Sequence, residues 1–291
     1  MLDILLNVIG PVAAVAFVGW IWGRARQPFD TVSFSMVASY VGTPCLIVDS
    51  LATSGLRADS LVAMGLGATL CTLFALAAGF LLVVLSRQPV STYLPASTFA
   101  NAGNIGLPLA LFAFGKNGLA LAIAYLAVHG LFNFVIGQAL AARRFSFKGT
   151  LFSPLLWATA LGAALSVTGA ELPLSLARGA HILGGLTIPM MLLALGYSLT
   201  KLSVTSLVWP LAFSALRLFG GFAIGWGVAL ALGLTGTARG VLVIESAMPV
   251  AVYNYMFAAQ YDNRPEDVAG LVVVSTVLSI GVLPLFLWTV M

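Results

Sequence analysis

Three ionisable side chains fall inside apolar segments of the chain rather than at their ends: Arg217, Glu245 and His129. Arg217 follows Leu207 by ten residues, about 15 Å along a helix and close to the middle of a bilayer. It holds its proton, so it can attract an anion or neutralise a carboxylate. A charge at that depth costs at least ~2.5 kcal/mol and demands a partner or a water-filled cavity. Glu245 stands four residues before Pro249, and a carboxyl embedded there is a candidate proton carrier. A structural ion pair between Arg217 and Glu245 is the competing reading. His129, beside Gly130, reads either as a titrating group or as a packing residue with one hydrogen bond. Neither His129 nor His181 has a second histidine or a carboxylate at metal-ligand spacing, which argues against a metal site. Asp49 lies near the end of an apolar segment and is expected to reach water.

A second group of residues is polar but uncharged. Asn101 and Asn104 lie in the run Phe99 to Pro108, with Gly103, Gly106 and Pro108 among them. The glycines weaken a helix, and the proline removes a donor and clashes with the preceding turn. Irregular backbone survives at membrane depth only where it is buried in protein or lines a cavity. The spacing therefore predicts a broken helix at Gly103, Gly106 and Pro108, with asparagine amides at the break. Pro249 predicts a second break, followed by Tyr253 and Asn254. Asn101, Asn104, Asn254 and Tyr253 are the candidate substrate ligands, and helix packing is the alternative for each. No catalytic group and no cofactor is expected: the zincin, phosphate-loop and nucleophile-elbow patterns are all missing from the sequence.

The elements that must position these residues are membrane spans. The chain is 60% hydrophobic and 8% charged, with a mean hydropathy of +1.06, which excludes a soluble globular domain. Its apolar runs are continuous rather than alternating, which excludes a membrane β-barrel. At about 20 apolar residues per span, the 291 residues predict about ten helices. They fall at 2–22, 31–51, 60–85, 94–114, a fifth ending at 142, then 154–167, 176–199, 207–232, 240–260 and 268–290. The net charge of +4 comes without a basic cluster interleaved with aromatics, so no nucleic acid is expected as a partner. Cys45 and Cys71 lie in apolar segments and read as inert buried thiols. No cleavable signal peptide is predicted, because Asp3 stands where a basic region would.

The two halves resemble copies. A shift of 145 residues takes Pro44 to Pro189, Asn104 to Pro249, Leu73-Phe74 to Leu218-Phe219 and Phe112-Ala113 to Phe257-Ala258. The expected units are residues 1–145 and 146–291, each of five helices. An odd number of spans makes the second unit inverted relative to the first. Loop charges then divide: Arg24, Arg26, Arg87, Arg143, Arg144, Lys148, Lys201 and Arg264 on one side, Arg57, Lys116, Arg178 and Arg239 on the other. The first set is assigned to the cytoplasm and both termini to the outside of a bacterial-type inner membrane. Inverted repeats with broken helices meeting at the midplane are secondary-transporter architecture.

At the level of motifs, Asn101-Ala-Gly-Asn104-Ile-Gly106-Leu-Pro108, taken with Glu245-Ser-Ala-Met-Pro249-Val-Ala-Val-Tyr-Asn254, resembles the auxin efflux carrier family. That family includes bacterial organic-acid permeases and, more distantly, the plant PIN-type auxin exporters. The resemblance implies an all-α polytopic fold like that of bile-acid symporters, with ten helices in two inverted five-helix repeats. Helices 1, 2, 6 and 7 would form a scaffold and dimer surface. Helices 3–5 and 8–10 would form a moving domain whose broken fourth and ninth helices cross at the substrate site. A homodimer is implied by the resemblance alone. The sequence departs from the plant branch at Ala100, Val250 and Glu245, where that branch resembles proline, glutamine and an uncharged glutamine. The long cytosolic loop of plant members is absent between Arg143 and Thr150.

The sequence therefore reads as a transporter of a small mono- or dicarboxylate, auxin-like acids included, working by elevator-type alternating access with proton coupling at Glu245. Sodium coupling in the same fold is one alternative, with Ser246, Asn254 and backbone carbonyls as oxygen ligands. A ligand sensor that transports nothing is the other.

Overall fold

The computed structural model describes residues 5–144, 154–201 and 207–291. Asp3, the basic residues' continuation Phe145 to Lys148, and the expected boundary between residues 145 and 146 lie outside the described residues. The described chain is helical, as a membrane demands, since helices satisfy their own backbone polar groups. In chain order the helices are α1 (Leu6–Arg24), α2 (31–53), α3 (Ala58–Ser86), α4 (Val90–Thr98), α5 (Ala102–Ala142), α6 (Pro154–Thr168), α7 (Leu174–Leu199), α8 (Val208–Ala231), α9 (Gly236–Ser246), α10 (Val252–Gln260) and α11 (Pro265–Val290). Six of these, α1, α3, α5, α7, α8 and α11, are long and apolar enough to cross a membrane. Helix α5 bends at Gly115, whose φ of 68° requires glycine.

Lipid supplies no hydrophobic drive between helices, so close packing must come from small residues that let backbones approach. That is how α1 meets α7. A Cβ at Gly19 would strike the Leu193 carbonyl, and one at Gly196 would strike the Ala16 carbonyl. Helix α8 approaches α9 in the same way, with Gly221 against the Ser246 carbonyl and Gly225 against the Ser246 hydroxyl. Four helix ends carry an arginine in the left-handed conformation: Arg26, Arg87, Arg143 and Arg264. The first three follow the C-termini of α1, α3 and α5, where a cation suits the helix dipole.

The first break falls earlier than the glycines and proline suggested. Helix α4 ends at Thr98, residues 99–101 are non-helical, and Ala102–Gly106 already forms the wide first turn of α5. Gly103, Gly106 and Pro108 are therefore not the breaking residues. Pro108 follows directly on that wide turn, six residues after Ala102, with helix on both sides of it. Helix α5 begins instead at Asn101, whose carboxamide oxygen accepts the Asn104 N–H at 3.3 Å as an N-cap. Pro249 lies within the second non-helical segment, between Ser246 and Val252.

Candidate functional site

The two non-helical segments lie against each other. Ala100 and Val250 form an isolated antiparallel pair, with Asn101 N–H donating to the Pro249 carbonyl at 2.7 Å and Ala251 N–H to the Phe99 carbonyl at 3.1 Å. The pattern is unchanged when each residue is exchanged with its partner 150 positions away, so the pair has a local two-fold relation. At this place Asn104 corresponds to Asn254. The offset of this pairing is 150, beside the 145 at which the sequence aligns Asn104 with Pro249.

Every available N–H of the two breaks finds an acceptor, which is what burial at this depth requires. Ala100 N–H donates to His129 Nε2 at 3.0 Å, and Val250 N–H to the Ser275 hydroxyl at 3.0 Å. Since Nε2 accepts, His129 is neutral with its proton on Nδ1. That proton is donated to Thr72 Oγ1 at 2.9 Å, and Thr72 donates onward to the Ala68 carbonyl at 2.7 Å. His129 thus makes two hydrogen bonds, one more than the packing reading expected, and its work is to hold the first break.

Arg217 occupies the ends of two helices at once. Its guanidinium donates to the Ser97 and Thr98 carbonyls at the end of α4, at 3.3 and 2.8 Å. It also donates to the Ser246 carbonyl and, at 3.2 Å, to the Met248 carbonyl beyond α9. Each helix C-terminus carries roughly half a negative charge. Two of them converging on one cation account for a buried arginine without a carboxylate. Glu245 is not its ion-pair partner: the salt bridges among the described residues are Arg57–Asp59, His181–Asp49 and Arg264–Asp267. Asp49 therefore pairs with His181 rather than simply meeting water.

Glu245 is fully buried, and neither carboxyl oxygen has a hydrogen-bond partner. It lies directly against Gly106 of α5, where any Cβ would collide with the carboxyl group. The amides are divided between structure and availability. Asn101 spends its oxygen on the N-cap and leaves Nδ2 unpartnered, while Asn254 donates Nδ2 to the Phe99 carbonyl at 3.1 Å and leaves Oδ1 unpartnered.

Asn104 and Tyr253 lie elsewhere, lining a narrow cavity of about 30 Å3 with Ser39, Met190, Met191 and Met256. Tyr253 closes it by a 2.5 Å hydrogen bond to the Ser39 hydroxyl on α2. Asn104 belongs to the first turn of α5 and Tyr253 to the first turn of α10. The N-terminal ends of both post-break helices therefore border this cavity opposite α2 and α7.

Residues 138–287 match the family described as membrane transport protein, which is the auxin efflux carrier family. The chain belongs to that family. An uncharacterized transporter of Methanocaldococcus jannaschii is 26% identical over 236 residues, covering 75% of this chain and 76% of the relative. An uncharacterized transporter of Methanothermobacter thermautotrophicus is 30% identical over 205 residues, 67% of this chain and 66% of the relative. This auxin efflux carrier family member is accordingly a multi-pass membrane protein of a transporter family.

Sequence reasoning missed several residues of the site. Ser275 and Thr72 are apolar-segment hydroxyls with no motif around them. Asn133, buried with an unpartnered Oδ1, stands one helical turn beyond His129 on the same face. That spacing was a usable signal.

Proposed function

We propose that this protein is a secondary transporter of a small organic anion, a mono- or dicarboxylate, working by elevator-type alternating access. The observation that carries the reading is the antiparallel pairing of the two breaks and the four carbonyls gathered by Arg217. Those contacts bind α4, α5, α9 and α10 into one body. The cavity lies where that body meets α2 and α7, which is where a carrier domain sliding on a scaffold would hold its cargo. With α5 divided at Gly115, counting α4 with the first part of α5, the second part of α5, α9 with α10, α2, α6 and the other five long helices fits ten crossings, and the two-fold relation at the breaks fits inverted repeats. Two first turns of helices suit a carboxylate, and the methionines suit its apolar body.

The cavity is far smaller than the 300–1,000 Å3 or so of ordinary ligand pockets, so cargo enters only when the lining elements separate. Glu245 is the proton carrier in this reading. A buried carboxyl bonded to no protein donor needs its charge matched from outside the chain, and a proton does so most simply. The protein works in a cell membrane with both termini outside, as a homodimer.

The test is a thermal-shift screen of the purified protein against mono- and dicarboxylates, since specific ligands stabilise the folded state by RT ln(1 + [L]/Kd). A carboxylate hit weakened in Asn104→Ala supports the reading. Stabilisation by cationic or neutral solutes alone would sink it.

A further inference from the structure

We infer that the cleft between the ends of α1 and α7 binds a phosphate group at the membrane surface. A cleft of about 350 Å3 there is lined by Gly23, Arg24, Arg26, Thr200 and Lys201. Three cations from two distant parts of the chain converge on it, and none forms a salt bridge among the described residues. Loop charges that only direct membrane insertion need no particular arrangement. These have one.

The turn that carries Arg26 is tied down on both sides. Trp22 Nε1 donates to the Pro28 carbonyl at 3.2 Å, and the Tyr197 hydroxyl reaches from α7 to the Gln27 carbonyl at 3.4 Å. Phe29 packs on the Tyr197 ring, with centroids 5.0 Å apart. The cations themselves are placed over aromatic faces: the Arg24 guanidinium 5.5 Å from the Trp20 ring and the Lys201 ammonium 5.3 Å from the Tyr197 ring. Such stacking holds a cation without neutralising it. Close approach of the two helices makes the floor, for a Cβ at Gly23 would run into the Thr200 hydroxyl group.

A phosphate fits this set, because its several oxygens can take the forked guanidinium donors and the ammonium together. The phosphate comes from an anionic phospholipid headgroup or from a soluble phosphate. Exposed Phe17, Trp20 and Trp22 on the same end of α1 favour the lipid, since tryptophans border headgroups and apolar rings accept acyl chains. This site is separate from the paired breaks and does not rest on the transport reading.

The experiment compares melting of the full-length protein in neutral detergent with added phosphatidylglycerol, phosphatidylcholine or inorganic phosphate. Wild-type protein is expected to be stabilised by phosphatidylglycerol and not by phosphatidylcholine. The half-saturating concentration should rise about tenfold or more in Lys201→Gln and in Arg24→Gln, the effect of one lost charge-assisted hydrogen bond. Arg87→Gln, which removes one cation outside the cleft, should leave it unchanged and shows that a single lost charge does not spoil folding. The same variant pattern with inorganic phosphate would keep the site and make its ligand soluble. Equal weakening in Arg87→Gln, or no response to either phosphate source, would overturn the inference.

Discussion

The N–H of Asn101 donates to the carbonyl of Pro249 at 2.7 Å, joining the two helix breaks of the chain into a single hydrogen-bonded crossing. Its counterpart bond runs from Ala251 to Phe99. Together they turn two defects, each intolerable in lipid, into one satisfied structure.

Arg217 is the cation of that structure, and its loss should be felt as folding rather than as specificity. Arg217→Lys keeps the charge but replaces a forked donor by a point, which cannot reach the ends of α4 and α9 together. A cost of about 3 kcal/mol is expected, read as a lowered melting temperature and a reduced monodisperse yield. A lysine variant as stable as wild type would show that charge alone suffices.

Much of this arrangement is legible in the sequence. Asn101, Pro249, Arg217 and Glu245 stood out because polar groups and prolines are costly in apolar spans. The position of the first break was not legible, because Gly103, Gly106 and Pro108 advertise a break while the N-cap of Asn101 starts the helix ahead of them. For Arg217 the sequence leaves an ion pair with Glu245 as a competing reading, because it shows carboxylates and hides carbonyls: the four partners are backbone oxygens, invisible in residue identity. Prolines set the offset of 145 at which the halves align in sequence, whereas the backbone pairing at the breaks has an offset of 150.

Gly106 and Glu245 should be coupled. Gly106→Ala is expected to cost about 1–3 kcal/mol through overpacking against the carboxyl, and much less in a Glu245→Ala background. A double-mutant cycle in melting temperature measures the difference. Additive effects would mean that the two groups do not touch.

The paired breaks should travel together. Ala100 and Val250 form a non-hydrogen-bonded antiparallel pair, for which Cα atoms are about 4.5 Å apart and within disulfide reach. In a background lacking Cys45 and Cys71, an Ala100→Cys/Val250→Cys disulfide should leave transport within about twofold of the reduced protein. Full inhibition reversed by reductant would replace rigid-body motion with opening of the breaks.

Glu245→Gln removes the proposed proton carrier without altering the shape of the site. Stimulation of uptake by a pH gradient should disappear while substrate exchange at equal pH continues within about threefold. A variant that still follows the gradient would take Glu245 out of coupling.

The most direct measurement is counterflow in proteoliposomes preloaded with one unlabelled carboxylate at a time, following the labelled acid outside. Transient accumulation of at least one mono- or dicarboxylate is predicted, abolished by a covalent link between Ser39→Cys on α2 and Tyr253→Cys on α10, which pins the cavity shut. Accumulation of no organic anion, alongside counterflow of a cationic or neutral solute, would contradict the account.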